Sequence, residues 1–307
     1  GGVAPYLTGR AADDLEAVRA TLGYRQLDVY GVSYGSRLAL TYAERHPDSV
    51  RSLILDGVVP PTMRLPLSFA RDAQAAFSQV SLRCHDDSAC RDAYGPLEVL
   101  LQRITKRLQE APAELELRHP RSGAMAKATL TEAGFAQALR AMLYSPELIA
   151  LLPLTLHAAA ADDWGPFVAQ LEAVADGARD SSLGLTLTIL CSEDVAGIEE
   201  VGEQPGFVGK AVVEDFQAMC DDWPRVSVPP RKQPELTVPT LLLSGELDPV
   251  TPPRWADAAA EQLPNHRAFI LRGGSHGVLM RACVPRVAAA FLDDPGAVAD
   301  LDYDCLG

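Results

Sequence analysis

Nowhere in this chain do about 20 apolar residues run together, so no membrane-spanning helix is expected. Positive charge is scarce. Lys and Arg number 27 against 41 Asp and Glu, a formal net charge of −14. That balance argues against nucleic acid or an anionic membrane surface as a partner. No two cysteines have the C-x₂-C spacing of a zinc site, so no metal is expected, and no cofactor. Internal repeats and low-complexity linkers are absent too. No signal peptide opens the sequence at Gly1, although a truncated start would remove one. What the chain does have is 307 residues with 48% hydrophobic content, enough for a sizeable core.

The most informative stretch is LDVYGVSYGSRLALTYAERHP, residues 27–47. Leu27-Asp28-Val29-Tyr30 has the β-branched and aromatic content of a buried strand. A Gly-x-Ser-x-Gly turn follows, with Ser33 at its tip. Gly31 and Gly35 are expected where side chains would clash in so sharp a turn, with the serine itself strained. Leu38, Leu40, Tyr42 and Ala43 then mark a helix that ends near His46-Pro47. The N-terminus of that helix points toward Ser33, so its free amides favour negative charge there. Strand, tight turn and helix together are the setting of a nucleophile elbow and nominate a serine hydrolase.

A serine hydroxyl needs a base, and the base needs an orienting carboxylate. In a fold built around such an elbow they follow in the order Ser, acid, His, each on a loop after a strand. The apolar run Val238 to Gly245 leads into Glu246-Leu247-Asp248-Pro249-Val250-Thr251-Pro252. Asp248 is the candidate acid and Glu246 its nearby competitor. A strand over Ala268 to Leu271 leads into Arg272-Gly273-Gly274-Ser275-His276-Gly277, where His276 is the candidate base. His46, His85, His119, His157 and His266 lack such a setting.

With these motifs in hand, the chain resembles the tripeptidyl aminopeptidase and proline iminopeptidase group of α/β-hydrolases. GVSYGSRLALTYAERHPDSVRSLILDGVVPP is similar to that group's elbow and following strand. LLLSGELDPVTPP and GGSHG are similar to its acid and histidine segments. The tail CVPRVAAAFLDDPGAVADLDYDCLG resembles the C-terminal domain of tripeptidyl-aminopeptidase-like (TAP-like) proteins. The resemblance covers residues 10–60 and 235–305, with ILCSEDV at 189–195 the clearest echo between them. It implies removal of short peptides from N-termini, or at least hydrolysis of amides or esters.

The oxyanion formed on attack needs two donors. One is the Tyr34 N–H, directly after the nucleophile. In relatives the other comes from a loop well upstream of the serine, often His-Gly-Gly-like. Only Gly1 to Gln26 precede the nucleophile strand here, and Arg10 to Leu22 read as one amphipathic helix. The expectation is therefore an α/β-hydrolase fold lacking its N-terminal strands. The missing segment would belong to a longer polypeptide or a second chain.

Residues 1–60 and 235–307 are expected to form the core, and 61–234 a mainly helical cap. That cap is inserted after the strand at 50–58, with Pro60-Pro61 and Pro229-Pro230 at its two ends. Its helical patterns run over Ser68–Ser81, Leu97–Leu108, Glu132–Leu143, Pro146–Ala160, Trp164–Ala175 and Val212–Cys220. A cap of this kind shapes a pocket and excludes water. An aminopeptidase must also bind a free α-ammonium, and Glu193 and Asp194 are the candidates. Trp164, Trp223 and Trp255 are candidate pocket walls, though aromatic residues more often fill cores.

Six cysteines allow fifteen pairings. Sequence order suggests Cys84–Cys90, Cys191–Cys220 and Cys283–Cys305, the last also implied by the family resemblance. An even count in an enzyme of this kind points to an oxidising compartment, periplasmic or extracellular. Three functional readings stand at this point. The first is a peptidase acting on peptide N-termini, the second a broad carboxylesterase of the same fold. The third is a non-catalytic or incomplete unit.

Overall fold

Helix and strand formers alternate from the start of the chain, and each switch follows a local signal. The computed structural model describes residues 2–118, 123–178, 182–229 and 234–301. The first helix is Thr8–Thr21 (α1), and the strand Leu27–Val32 (β1) follows. Helix α2 (Tyr34–Arg45) stops at His46, before a proline that cannot extend it. Strand β2 (Val50–Asp56) is buried at every residue but one.

Between β2 and the next sheet strand the chain makes a long, mostly helical excursion. It comprises α3 (Phe69–Asp86), α4 (Ser88–Tyr94) and α5 (Leu97–Glu110), then β3 (Ala113–Arg118) and β4 (Met125–Leu130). It continues with α6 (Glu132–Met142), α7 (Pro146–Ala160), α8 (Gly165–Ala178), α9 (Leu183–Glu193) and α10 (Ala211–Asp222). The antiparallel β3–β4 hairpin was not foreseen among the helical patterns, nor was α4. The chain then returns as β5 (Thr240–Gly245), α11 (Pro253–Ala260), β6 (His266–Leu271) and α12 (Val284–Asp293).

The main sheet has the order β1-β2-β5-β6, and all its described pairings are parallel. Period-two alternation splits its side chains between two faces. Leu53, Leu55 and Leu242 pack with Ala12 of α1, Ala39, Leu40 and Ala43 of α2, and Ala256 and Ala259 of α11. Ile54, Leu241, Leu243 and Phe269 face the other way, onto Val284, Val287, Ala288 and Phe291 of α12. Cover on both faces explains why β5 is buried at every residue and carries the apolar Leu241-Leu242-Leu243 at its centre, as buried parallel strands do.

The excursion has its own cores. Phe77, Ile104, Phe135, Leu139, Met142, Leu152, Leu156 and Phe167 join α3 and α5 to α6, α7 and α8. A smaller cluster collects Val59, Met63 and Leu65 with Leu187, Leu190 and the Cys191–Cys220 disulfide. A second disulfide, Cys84–Cys90, ties α3 to α4. Both pairs match the sequence-order expectation. The third expected pair, Cys283–Cys305, falls outside the described residues because Cys305 does. No helix among the described residues is long and apolar enough to cross a membrane.

Candidate active site

Ser33 occupies the junction of β1 and α2 with φ 55° and ψ −125°, a conformation that non-glycine residues rarely adopt. Surrounding bonds hold it there. Its N–H donates to Asp56 O at 2.9 Å, and its carbonyl accepts from Ser36 N at 2.9 Å and Ser36 Oγ at 2.6 Å. Ser36 Oγ in turn accepts from Val59 N at 2.8 Å, so the turn is braced against the segment after β2. A Cβ on Gly31 would overlap the carbonyl of Gly35. At Gly35 itself a Cβ would meet nothing within 4 Å, so the clash expected at both glycines holds only for Gly31. Ser33 precedes the first turn of α2, which places Tyr34 N–H at the positive end of that helix.

Asp248 and His276 stand on the loops after β5 and β6. His276 Nδ1 lies 2.8 Å from Asp248 Oδ2, with the Asp248 side chain fully buried and that of His276 14% exposed. The other Asp248 oxygen accepts Val250 N at 2.9 Å and Thr251 N at 2.8 Å. Thr251 Oγ1 donates to Asp248 Oδ2 at 2.8 Å and sits 3.1 Å from His276 Nδ1. Glu246, the competing acid, points elsewhere. Its Oε2 accepts from Arg83 Nη2 at 2.5 Å and Gly273 N at 2.9 Å.

Burial would push the His276 imidazole down and the Asp248 carboxyl up. Their mutual attraction and hydrogen bond outweigh it. His276 ends above the ordinary histidine value and Asp248 below the ordinary aspartate one, with the Val250 and Thr251 amides adding to the second shift. A His276 that donates Nδ1–H to Asp248 keeps the Nε2 lone pair for a proton from elsewhere. No hydrogen bond joins Ser33 Oγ to His276 among the described residues. The two are nonetheless neighbours at the same sheet end. A Cβ on Gly57, the residue after the Asp56 that holds Ser33, would come 3.3 Å from His276 Cε1, and one on Gly277 3.6 Å from Val32 Cγ2.

Asp56 was missed from sequence, where it read as one residue of a strand. It is fully buried at the end of β2. Its carboxylate accepts Val278 N at 2.8 and 3.0 Å and Leu279 N at 2.8 Å, and Tyr30 OH lies 3.3 Å away. Burial raises its pKa, partly opposed by those amides. Tyr144, just beyond α6, was missed as well. Its ring meets the His276 ring edge-on at 5.0 Å, and its hydroxyl accepts from Arg140 Nη1 at 2.9 Å. Beside it, Ser275 Oγ donates to Leu143 O, so the end of α6 rests on the histidine loop.

Glu193 and Asp194 are buried and engaged. Glu193 accepts Thr8 N at 2.7 Å and Thr8 Oγ1 at 2.6 Å, and Thr8 Oγ1 is 2.9 Å from Tyr34 OH. Asp194 pairs with Arg37 at 2.7 Å, both side chains fully buried, and Arg37 also donates to Met63 O at 2.7 Å. Trp164 packs edge-on against Phe135 and Phe167. Trp223 donates to Thr188 Oγ1 at 3.1 Å, and Trp255 to Asp72 Oδ2 at 3.1 Å. None of the three tryptophans has a ring contact or hydrogen bond to Ser33, Asp248 or His276. No cluster of three or more His, Cys, Asp or Glu able to hold a metal occurs among the described residues.

Parts of the chain are similar in sequence to known proteins. The serine protease Hip1 of Mycobacterium tuberculosis is 40% identical over 86 residues, which are 27% of this chain and 16% of that protein. The tripeptidyl aminopeptidase of Streptomyces lividans is 41% identical over 63 residues, 20% of this chain and 12% of that one. The matched stretches thus span under a fifth of those relatives' lengths. Among solved structures, the proline iminopeptidase of Mycobacterium smegmatis aligns over 98% of this chain and 76% of its own, with 18% identity and a TM-score of 0.44. The family described as alpha/beta hydrolase fold matches residues 4–282. With most of its length inside that match, the chain belongs to the alpha/beta hydrolase fold family.

Proposed function

We propose that this hydrolase is a serine peptidase that releases short peptides or amino acids from peptide N-termini. The observation that carries the reading is the 2.8 Å contact between His276 Nδ1 and Asp248 Oδ2, at the sheet end where the strained Ser33 is held. In this mechanism Ser33 Oγ attacks the scissile carbonyl carbon while its proton passes to His276 Nε2. Asp248 stabilises the imidazolium. The oxyanion is assigned to Tyr34 N–H, at the start of α2. His276 then returns the proton to the leaving amine as the C–N bond breaks, leaving an acyl group on Ser33. A water that gives its proton to His276 attacks that ester, and Ser33 recovers its hydrogen as the acid product departs.

Peptide rather than ester substrates are favoured by the names of the relatives, a serine protease and a tripeptidyl aminopeptidase. Residues 61–234 serve as the lid, with Tyr144 as its contact to His276. An α-ammonium arriving at Glu193 has to compete with Thr8 for both carboxylate oxygens. Two disulfides are consistent with an extracellular protein. We extend that to the periplasm or the cell exterior.

The test is labelling with a serine-directed fluorophosphonate, followed by a panel of aminoacyl and tripeptidyl chromogenic amides beside short-chain esters. Label is expected on Ser33 and absent from Ser33→Ala. If a second oxyanion donor is lacking, labelling should run about 10²–10³-fold slower than in a complete site. No label on Ser33 after prolonged exposure would overturn catalysis by this chain. Turnover of esters with none of the amides would favour the carboxylesterase reading.

A further inference from the structure

Glu246 stands two residues before Asp248, but His276 Nδ1 is taken by Asp248. The Glu246 carboxylate is directed instead at the main chain of the histidine loop, where its Oε2 accepts Gly273 N at 2.9 Å. Around that bond the loops after β5 and β6 lie main chain against main chain. Glu246 N donates to Leu271 O at 3.1 Å and Leu247 N to Gly274 O at 2.8 Å. A Cβ on Gly245 would fall 2.0 Å from Ser275 O. Gly274 N closes a turn onto Leu271 O at 3.1 Å, and Gly273 inside that turn has φ 71°, a conformation open to glycine.

His276 thus lies between two carboxylate anchors. Three residues before it, Gly273 N is held by Glu246, and two residues after it, Val278 N is held by Asp56. The two anchors differ in their surroundings. Asp56 is fully buried in the sheet, whereas the Glu246 side chain is 31% exposed and shares Oε2 with Arg83 Nη2 at 2.5 Å. Arg83 belongs to the last turn of α3, and a Cβ on Gly273 would come 3.2 Å from its Nη1, so the guanidinium lies over the turn. The next residue, Cys84, is bonded to Cys90 and fixes α3 to α4. An ion pair this exposed adds little to stability, so its value is in placement.

We infer that Glu246 is a positioning residue for His276, holding the histidine loop through Gly273 N–H, and that Arg83 makes this hold depend on α3. The inference rests on the reading of His276 as the base of the proposed peptidase. The charges that act on the imidazole are Asp248, Asp56 and Arg140. The influence of Glu246 therefore runs through the main chain from Gly273 to His276. A loosened loop weakens the contact with Asp248, and the raised titration of His276 then falls back toward 6.5.

The experiment follows the His276 ring by NMR in the 307-residue chain with ¹³C-labelled histidine, beside the pH profile of fluorophosphonate labelling at Ser33. Glu246→Ala should move the His276 midpoint down and slow labelling by about 10–10²-fold, the scale of a small misplacement of a reacting group. Its melting temperature should change little, because the pair it removes is exposed. Glu246→Gln keeps an acceptor oxygen for Gly273 N and should restore most of the rate and the midpoint. Arg83→Met should lose less than Glu246→Ala, with the loss in the labelling rate at saturating probe rather than in probe affinity. An unchanged His276 midpoint and rate in Glu246→Ala would overturn the proposal. Equal losses in the Gln and Ala variants would overturn it too, because the charge and not the bond would then be at work. Wild-type behaviour of Arg83→Met would overturn the dependence on α3. If Ser33 takes no label in any chain, the catalytic reading fails, and the His276 midpoint in Glu246→Ala still decides whether Glu246 sets the loop.

Discussion

The Asp56 carboxylate accepts the backbone N–H of Val278 with both oxygens, at 2.8 and 3.0 Å, while the Asp56 carbonyl accepts the N–H of Ser33 at 2.9 Å. One residue at the end of β2 therefore braces the nucleophile by its main chain and the histidine loop by its side chain. Asp56→Asn keeps the first bond and puts an amide NH₂ where a carboxylate oxygen met N–H donors. A buried donor left facing donors costs about 1–3 kcal/mol. The variant should melt at lower temperature and lose more in kcat than in KM, because the loop it loosens carries the base. The Asp56 charge also favours protonated His276, so the pH at which activity appears should move down in the variant. A wild-type pH profile combined with a changed KM would remove this positioning role.

The raised histidine gives a second prediction. His276 must be neutral to take the serine proton, so kcat/KM should rise with pH through a midpoint above the ordinary histidine value of 6.5. Stability runs the other way. A raised histidine stabilises the fold below its unfolded value and loses that contribution as pH climbs through its folded one. Asp248, held low, contributes above its unfolded value and loses that as pH falls through its folded one. The pair is therefore at full strength between about pH 4 and 6.5. Melting curves of wild type and His276→Ala across that span should differ most inside it and converge at higher pH. Asp248→Asn should lower kcat by about 10³–10⁴-fold.

Arg37 and Asp194 supply a third prediction, about how the helical excursion is fastened. Arg37 belongs to α2, the helix that follows Ser33, and Asp194 ends α9, so their buried contact ties the elbow to the helical excursion. Removing one partner strands a charge away from water and should cost about 3–5 kcal/mol. Replacing both, as in Arg37→Met with Asp194→Leu, should recover much of that loss, because no charge is then left buried. A denaturant series on the two single variants and the double variant measures it. Equal losses in the single and double variants would mean that the pair matters through packing alone.

How much of this could be read from the sequence follows from the range of each signal. Ser33, Asp248 and His276 each close a strand with a distinctive local loop, so their positions were legible. The contact between Asp248 and His276 was inferred from their order. The hairpin β3–β4 was overlooked because its apolar alternation in AELELR is brief and lies between strong helical patterns. Among its described side chains only Leu115 and Leu130 are buried. Asp56 left a signal, an acidic residue closing the apolar run LIL, but nothing local showed where its acceptors would point. Glu193 and Asp194 looked like an acidic pair open to a ligand. Their partners Thr8 and Arg37 lie 185 and 157 residues away in sequence, beyond the reach of any local pattern.

The disulfide Cys191–Cys220 carries a prediction that links stability to that same pair of acids. It spans 29 residues and joins α9 to α10 two positions before Glu193. Closing a loop of that length in the unfolded chain contributes ~3–4 kcal/mol on the entropic estimate. In denaturant without reductant, Cys84, Cys90, Cys191 and Cys220 should be silent to a thiol reagent and should react after reduction. A Cys191→Ala/Cys220→Ala chain should melt earlier. It should also weaken the hold on Thr8, because Glu193 sits at the end of the helix that the bridge fixes. Glu193→Gln gives the comparison, since it disturbs Thr8 and leaves the bridge intact. If Glu193 also meets a substrate ammonium, that variant should raise KM for peptides with a free amine and spare N-blocked esters. The disulfide variant should instead slow both classes alike. Equal loss on both classes in Glu193→Gln would leave the carboxylate with Thr8 alone.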